Sequence, residues 1–387
     1  MHEVNYLTKP IYEYHEFPEG LANLGHEVGV VHFPEVKDGS SHPEATPRVR
    51  PMAGRVLKDV EIQLFTPKIL SGGLVGRLLF AATSYWQMKS ILLQFQPDII
   101  VCFSVPTNGW QALLAAKSID IPFVFRALDV SHKLRQGPFS PLIKAAEKFL
   151  YRRSSYISAN NPRMLAYCQD LVRKPAPGIV HLPPLDLESF AKGDSARGRK
   201  KWGIPKSARV ILYLGTFFHF SGLECCLREF ARAGGNDMLF LVGGGSRTTY
   251  LKRLAKSLGI SNRVVFTGFL PFHELPDIVA SADVAINPMV KSLVSDCALP
   301  HKVLQYMASG TPVVSTRLEG LLTTLSEDSG VVFQESPEQV IREASAIASN
   351  KYAQGQIARG QLRLVKRLFS GDPVKTFESF LWNLKQK

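Results

Sequence analysis

Nowhere in this 387-residue chain do about 18 apolar residues run together, the length a helix needs to cross a bilayer. No membrane-spanning helix is expected. The opening residues, MHEVNYLTKPIYEYHEF, lack the basic start and apolar core of a secretory signal. Cysteine is scarce and odd in number: Cys102, Cys168, Cys225, Cys226 and Cys297 are scattered, with no CxxC pair and no Cys/His spacing suited to zinc. That argues against a disulfide scaffold and a structural metal, and for a reducing cytosol. No loop carries a metal-binding cluster of acids such as DxD, and neither glycine-rich loop matches GxGxxG or the GxxxxGK[ST] P-loop.

What the chain does have is enough apolar material for two cores. At 387 residues, with 45% hydrophobic and 20% charged residues, two domains of about 150 to 200 residues are expected. The net charge of +13 favours anionic partners, and bases outnumber acids most clearly between Lys133 and Lys201. The first half alternates short apolar runs with helical patterns: VNYLT, a helix through FPEGLANLG, EVGVVHF, then DIIVCFS, a helix in WQALLAAKS, and IPFVFRAL. Such alternation predicts a parallel sheet covered on both faces. Gly25 in NLGH stands where a left-handed helix cap belongs. The Pro-, Gly- and charge-rich segment 33–55 reads as a long surface excursion.

A composition break over residues 181–203 marks the expected linker, with an N-terminal domain at 1–190, a second at 191–368 and a terminal helix at 369–387. Beyond the break the alternation restarts: RVILYLG, a helix from Gly222, DMLFLVGGG, a helix to Gly259, RVVFTG, a helix near Leu275, DVAINPM, a helix over Lys302 to Ser309, TPVVST and GVVF. In doubly wound sheets ligands bind beyond the carboxyl ends of the strands, against helix N-termini. That singles out residues 8–17 and 126–132 in the first half, and 215–222, 243–245, 268–271 and 287–302 in the second. Gly215 and Gly243–Gly245 each follow an apolar strand, where a diphosphate can approach the backbone only if no side chain intervenes. The same glycines equally suit tight turns that hold no ligand.

The most informative stretch is LPHKVLQYMASGTPVVST, residues 299–316. Its Pro-x-Lys, the helix with YMASG and the following TPVV resemble the donor segment of retaining glycosyltransferases of family 4, which have the GT-B fold. RVVFTGFLP, SADVAINP and GVVF stand in the matching order, and GHEV at Gly25–Val28 is similar to that family's first-domain pattern. The likeness is to the Pro-x-Lys members of the bacterial and archaeal surface-polysaccharide type. It implies an α/β, GT-B architecture: two Rossmann-like, doubly wound parallel-sheet domains facing a cleft, with a nucleotide-sugar held mainly by the second.

The resemblance also implies site residues. On the donor side these are Gly215, Thr216, Ser221, Gly222, Gly244, Gly268, Phe269, Lys302 and Gln305. Gln305 stands where the family has a ribose-binding glutamate, and Thr216 and Ser221 replace an arginine and a lysine that usually clamp the diphosphate. Compensation is expected from hydroxyls, backbone amides and Lys302. Eight residues before Gln305, Cys297 occupies the place of the family's other glutamate and receives no role. On the acceptor side, FRALDVSH gathers Arg126, Asp129 and His132, a cluster suited to positioning a hydroxyl and taking its proton. Only Asp129 matches the family's histidine–aspartate pair there, so Arg126, Asp129 and, more weakly, His15 beside Glu16 are the catalytic candidates.

In a retaining transferase of this kind the leaving diphosphate itself deprotonates the acceptor, so no metal and no cofactor are expected. The partners implied are a nucleotide-sugar and a glycan or lipid-linked acceptor, in cell-surface polysaccharide or glycolipid synthesis. Residues 72–95, apolar, aromatic and flanked by bases, suit either a core helix or one leaning on an anionic membrane, which would place the protein in the cytoplasm at the membrane's inner face. The competing readings are another GT-B enzyme such as an epimerase or phosphorylase, an impaired pseudo-transferase, and a nucleic-acid binder. The last lacks an aromatic platform among its bases and is not expected.

Overall fold

A computed structural model describes residues 1–2, 4–33, 48–69, 73–135 and 137–386, which divide into two compact units, 1–184 with 371–387, and 185–370. In the N-terminal unit, chain order runs α1 (Glu13–Asn23), β1 (Gly29–Val31), β2 (Arg48–Ala53), β3 (Glu61–Thr66), α2 (Gly73–Phe95), β4 (Ile100–Cys102), α3 (Gly109–Lys117) and β5 (Phe123–Ala127). The short α4 (Ser131–Leu134), α5 (Ser140–Arg153), β6 (Tyr156–Ala159), α6 (Pro162–Asp170) and β7 (Gly178–Val180) complete it. Strands β4-β5-β6-β7 pair in parallel, while β3 lies between β1, parallel, and β2, antiparallel.

The sequence placed the first strand at VNYLT, whereas the paired residues lie earlier. The amides of His2 and Phe33 bond across to Val31 and Val4, and on the other side Met1 reaches Val101 while Phe103 bonds back to Met1. Met1, His2 and Val4 thus lie between β1 and β4 and join the two sheets. Asn5 ends the pairing: its side chain accepts the Leu7 amide at 2.9 Å and its carbonyl accepts that of Lys9 at 3.2 Å, a local turn that competes with the ladder. Likewise α1 begins at Glu13, so His15 and Glu16 are helical rather than in a loop. Its end is the expected one: Gly25 at φ +94 lets the His26 amide bond back to Leu21. In the segment taken as a surface excursion, residues 48–53 form the mostly exposed β2; residues 34–47 lie outside the described residues.

The presumed linker is also structured. Leu187–Ala191 (α7) and Ser195–Lys201 (α8) are short helices, each N-capped by an aspartate, Asp186 and Asp194. Both belong to the C-terminal unit and pack on α11 (Leu275–Ala280), close enough that a Cβ on Gly193 or Gly198 would sit 2.4 or 2.3 Å from a carbonyl of Pro276 or Asp277. Polar, basic composition here covers a surface rather than marking a tether.

The remaining elements of this unit are β8 (Val210–Leu214), α9 (Leu223–Ala233), β9 (Met238–Val242), α10 (Thr248–Ser257), β10 (Val264–Gly268), β11 (Val284–Asn287) and α12 (Leu293–Asp296). After them come α13 (His301–Ala308), β12 (Val313–Thr316), α14 (Glu319–Leu325), β13 (Val332–Gln334), α15 (Pro337–Ala348) and α16 (Lys351–Leu368). Every neighbour in the sheet β10-β9-β8-β11-β12-β13 is parallel. The apolar runs β8, β9 and β11 are buried on both faces, as in a sheet with helices on each side. The order reverses between β8 and β11, and that switch point is where such a sheet opens a crevice. The terminal helix α17 (Pro373–Lys385) returns to the N-terminal unit, where Phe377 packs on Phe17 with ring centroids 4.6 Å apart.

Candidate donor and acceptor sites

The loops after β8, β9 and β10 are stitched together through glycines. Gly215 donates to the Val242 carbonyl, Gly243 to that of Gly268, and Phe217 to that of Gly244, all at 2.8–2.9 Å. A Cβ on Gly243 would lie 2.1 Å from the Gly215 carbonyl, and Gly215, Gly243, Gly245 and Gly268 all have positive φ. Gly222, at φ +72, meets the loop after β11: a Cβ there would lie 1.7 Å from the Pro288 carbonyl. It precedes α9, whose first-turn amides are the kind of donors an anion uses. Phe269 is exposed and lies against Gly244.

Onto this backbone cradle α13 projects Lys302. The helix is tied to the end of β8 by the Leu214 amide, which donates to the Tyr306 hydroxyl at 2.6 Å. Lys302 Nζ sits 4.1 Å from the centre of the Tyr213 ring, and a Cβ on Gly215 would stand 3.2 Å from it. No described carboxylate pairs with this ammonium, and burial pulls its pKa down from 10.5 to about 7. A lysine in the first turn of a helix meets a helix dipole of the same sign, which disfavours it unless an anion lies in front. One turn on, the Gln305 side chain is largely buried and makes no hydrogen bond with a described residue.

The other expected donor residues are less alike. Thr216 is half-buried beside Gly245, and its hydroxyl bonds no described residue. The buried Ser221 gives its proton to the Phe218 carbonyl at 2.7 Å, so its oxygen alone is left to offer, as an acceptor. Cys297 is completely buried. Among the described residues no three His, Cys, Asp or Glu side chains gather as a metal ion requires.

On the N-terminal unit the structure corrects two candidates. Arg126 is wholly enclosed: Nε donates to Glu13 at 2.8 Å, Nη1 to Ser158 at 2.8 Å and to the Ala159 carbonyl at 3.2 Å, and Nη2 also pairs with Glu13. Its charge is spent holding α1 against β5 and β6, not facing a ligand. His15 is buried as well. Its Nδ1 accepts the Tyr12 amide at 3.3 Å and Nε2 lies 2.9 Å from the Tyr6 carbonyl, and burial lowers its pKa to about 4. Both fail as proton handlers because they lie inside. Asp129 is exposed on the loop after β5; burial first, and then the nearby Glu13 and Asp129 carboxylates, raise the pKa of the Tyr12 hydroxyl.

Reasoning from sequence missed Glu13, Tyr213, Tyr306 and Glu147, the last an enclosed carboxylate on α5 whose Oε2 is 2.6 Å from His132 Nδ1. Each meets its partner on another element of the fold, and no spacing signals such a meeting.

Two family models match this arrangement, one within each unit: "Glycosyl transferase 4-like domain" over residues 14–184 and "Glycosyl transferases group 1" over 208–350. The chain belongs to the GT-B glycosyltransferases of the family 4 type. Among relatives, a 2-deoxystreptamine glucosyltransferase of Streptomyces kanamyceticus is 27% identical over 48% of this chain and 49% of its own length. A D-inositol 3-phosphate glycosyltransferase of Acidothermus cellulolyticus is 31% identical over 39% and 35%. The chain thus spans about half the length, or less, of the curated relatives it matches. The GT-B fold is shared with sucrose-phosphate synthase from Thermosynechococcus elongatus (TM-score 0.73, 17% identity, 95% and 92% covered). It is shared equally with Anabaena Alr3699/HepE, solved with UDP-glucose (TM-score 0.73, 15% identity, 100% and 99% covered).

Proposed function

We propose that this chain transfers a hexose from a nucleoside-diphosphate sugar to an acceptor hydroxyl, holding the diphosphate on its C-terminal unit. The observation that carries this reading is Lys302: a half-sheltered ammonium with no described counter-ion, aimed at a glycine whose missing side chain leaves room for a phosphate. Backbone amides, Thr216 and Lys302 then supply what the family's arginine and lysine supply elsewhere, without a metal. Gln305 faces the ribose, and Gly244 with Phe269 lies where a base can rest. The acceptor oxygen bonds to the anomeric carbon as its bond to the diphosphate breaks. The departing diphosphate takes the hydroxyl proton, with retention of configuration. Catalysis is then positioning and charge stabilisation. The solved neighbour with UDP-glucose and the transferase relatives support the donor class, and Asp129 is the exposed acceptor-side candidate.

A panel of UDP-, GDP- and ADP-sugars in a thermal-shift assay tests the reading. A ligand at 100 times its Kd adds about 2.7 kcal/mol. Lys302→Ala and Gln305→Ala are expected to lose that gain while remaining folded. If no sugar nucleotide stabilises the wild-type protein, the proposal fails.

A second observation favours a membrane-bound acceptor, as in glycolipid or surface-polysaccharide synthesis at the inner face of the cytoplasmic membrane. Helix α2 buries Phe80, Ser84, Met88 and Leu92, yet Val75, Leu78, Leu79, Trp86 and Leu93 are exposed. At helical spacing these form a second apolar stripe, and α2 holds bases but no acid. Sedimentation with vesicles of phosphatidylglycerol and phosphatidylcholine is expected to capture wild type, and Trp86→Ser with Leu79→Gln less. Equal capture removes this placement.

A further inference from the structure

Glu147 lies at the centre of a small polar knot beyond the carboxyl end of β5. It is completely enclosed, and burial pushes its carboxyl pKa upward while neighbouring donors hold it down. Oε1 accepts the His132 amide at 3.3 Å, Oε2 lies 2.6 Å from His132 Nδ1, and the Tyr167 hydroxyl reaches Oε2 at 3.3 Å. A carboxylate accepts and does not donate, so in the neutral imidazole the ring proton belongs on Nδ1, and that tautomer leaves Nε2 with a bare lone pair. No described residue donates to Nε2, although His132 is only 5% exposed. Nε2 is not one of the buried side-chain atoms left without a partner, so it reaches the surface, where the O–H of water or of a ligand can meet it. The carboxylate behind the ring also makes Nε2 a better acceptor than an isolated imidazole.

The location adds to this. His132 opens the helix that follows β5, three residues from the exposed Asp129, at the end of the sheet where doubly wound folds bind ligands. A lone pair repels phosphate and carboxylate oxygens and attracts O–H or N–H. We propose that His132 Nε2 accepts a hydrogen bond from a hydroxyl of a polyhydroxylated acceptor, with Glu147 as its positioning residue. This rests on the transferase reading above and names the acceptor-side contact, which the buried Arg126 and His15 do not provide.

Diethyl pyrocarbonate acylates an imidazole only where the nitrogen lone pair is free and reachable, which makes mapping of the modified protein by mass spectrometry a test independent of turnover. His132 is expected to react at least about tenfold faster than His15 and His32, whose rings are buried and hydrogen-bonded. Glu147→Gln, which keeps the shape and removes the charge, is expected to slow it. The second measurement is release of nucleoside diphosphate from a stabilising sugar nucleotide, with water in the acceptor's place. His132→Ala is expected to lower kcat by about tenfold or more with the donor KM unchanged, and His132→Gln, whose amide oxygen can accept, to recover part of it. His132 as inert as His15 and His32, or His132→Ala at the wild-type rate, overturns the proposal. Absence of any nucleotide effect in wild type would sink the transferase reading instead, and the acylation result would still decide His132.

Discussion

Replacing Lys302 with methionine separates fold from function, because the two effects have opposite sign. In the free protein the folded-state pKa of Lys302, about 7, lies below its ordinary 10.5. Between those values the folded chain binds fewer protons than the unfolded one, so stability rises with pH through that window, and the cost of the buried ammonium is complete below about pH 7. At 1.36 kcal/mol per pH unit the ceiling is roughly 5 kcal/mol. Lys302 keeps some contact with solvent and rests on the Tyr213 ring, so about 1–3 kcal/mol is the expected stabilisation from Lys302→Met near pH 6.5, shrinking toward pH 10. The nucleotide effect runs the other way. A diphosphate favours the charged lysine, so wild-type affinity for UDP-glucose, whose phosphate diester does not titrate in this range, should fall by up to about tenfold per pH unit above 7. Lys302→Met should bind weakly and without that slope. Denaturant melts of both proteins from pH 6.5 to 9, with and without the sugar nucleotide, read all four quantities. A wild-type affinity flat with pH, or a methionine variant no more stable than wild type, would refute the reasoning.

Gly222→Ala should destabilise the C-terminal unit by about 3 kcal/mol or more, since φ +72 and the Pro288 carbonyl 1.7 Å from the new Cβ leave no relaxation without moving the loop after β11; chemical denaturation measures it. Arg126→Met leaves Glu13 buried and unpaired and should cost about 3–5 kcal/mol, whereas the double variant with Glu13→Leu should recover most of it; a melting curve showing no recovery would contradict the ion-pair account. His15, His32 and His181 all have pKa values lowered to about 4 by burial. The unfolded chain binds more protons than the folded one between about 4 and the ordinary 6.5, so the N-terminal unit should lose stability as pH falls through that range, read by proteolysis or thermal melts.

The C-terminal unit was nearly legible from the sequence because its strands are buried on both faces and therefore appear as unbroken apolar runs ending in glycine, as VILYLG and MLFLVGGG do. The N-terminal unit was less so. Its first paired residues were placed too late because an apolar VNYL continues past the turn that Asn5 makes, and β2 escaped notice because an exposed edge strand of Arg, Pro and Met carries no periodic signal. The basic stretch around α7 and α8 was mistaken for a tether since composition does not report a neighbouring helix that two glycines can approach.

The same division holds for the site. Local constraints, glycine where the backbone must turn left-handed and Pro-x-Lys at a helix start, are properties of neighbouring residues, so the glycine turns, the start of α13 and the family were legible in the sequence. Whether a charged group faces a ligand or another residue depends on which distant elements fold against it. Only the tertiary structure showed that Arg126 is neutralised by Glu13, that His15 is sealed beneath Tyr6, and that Glu147 turns His132 outward at one nitrogen. Desolvation and ion pairing act through space, and sequence spacing carries no record of them.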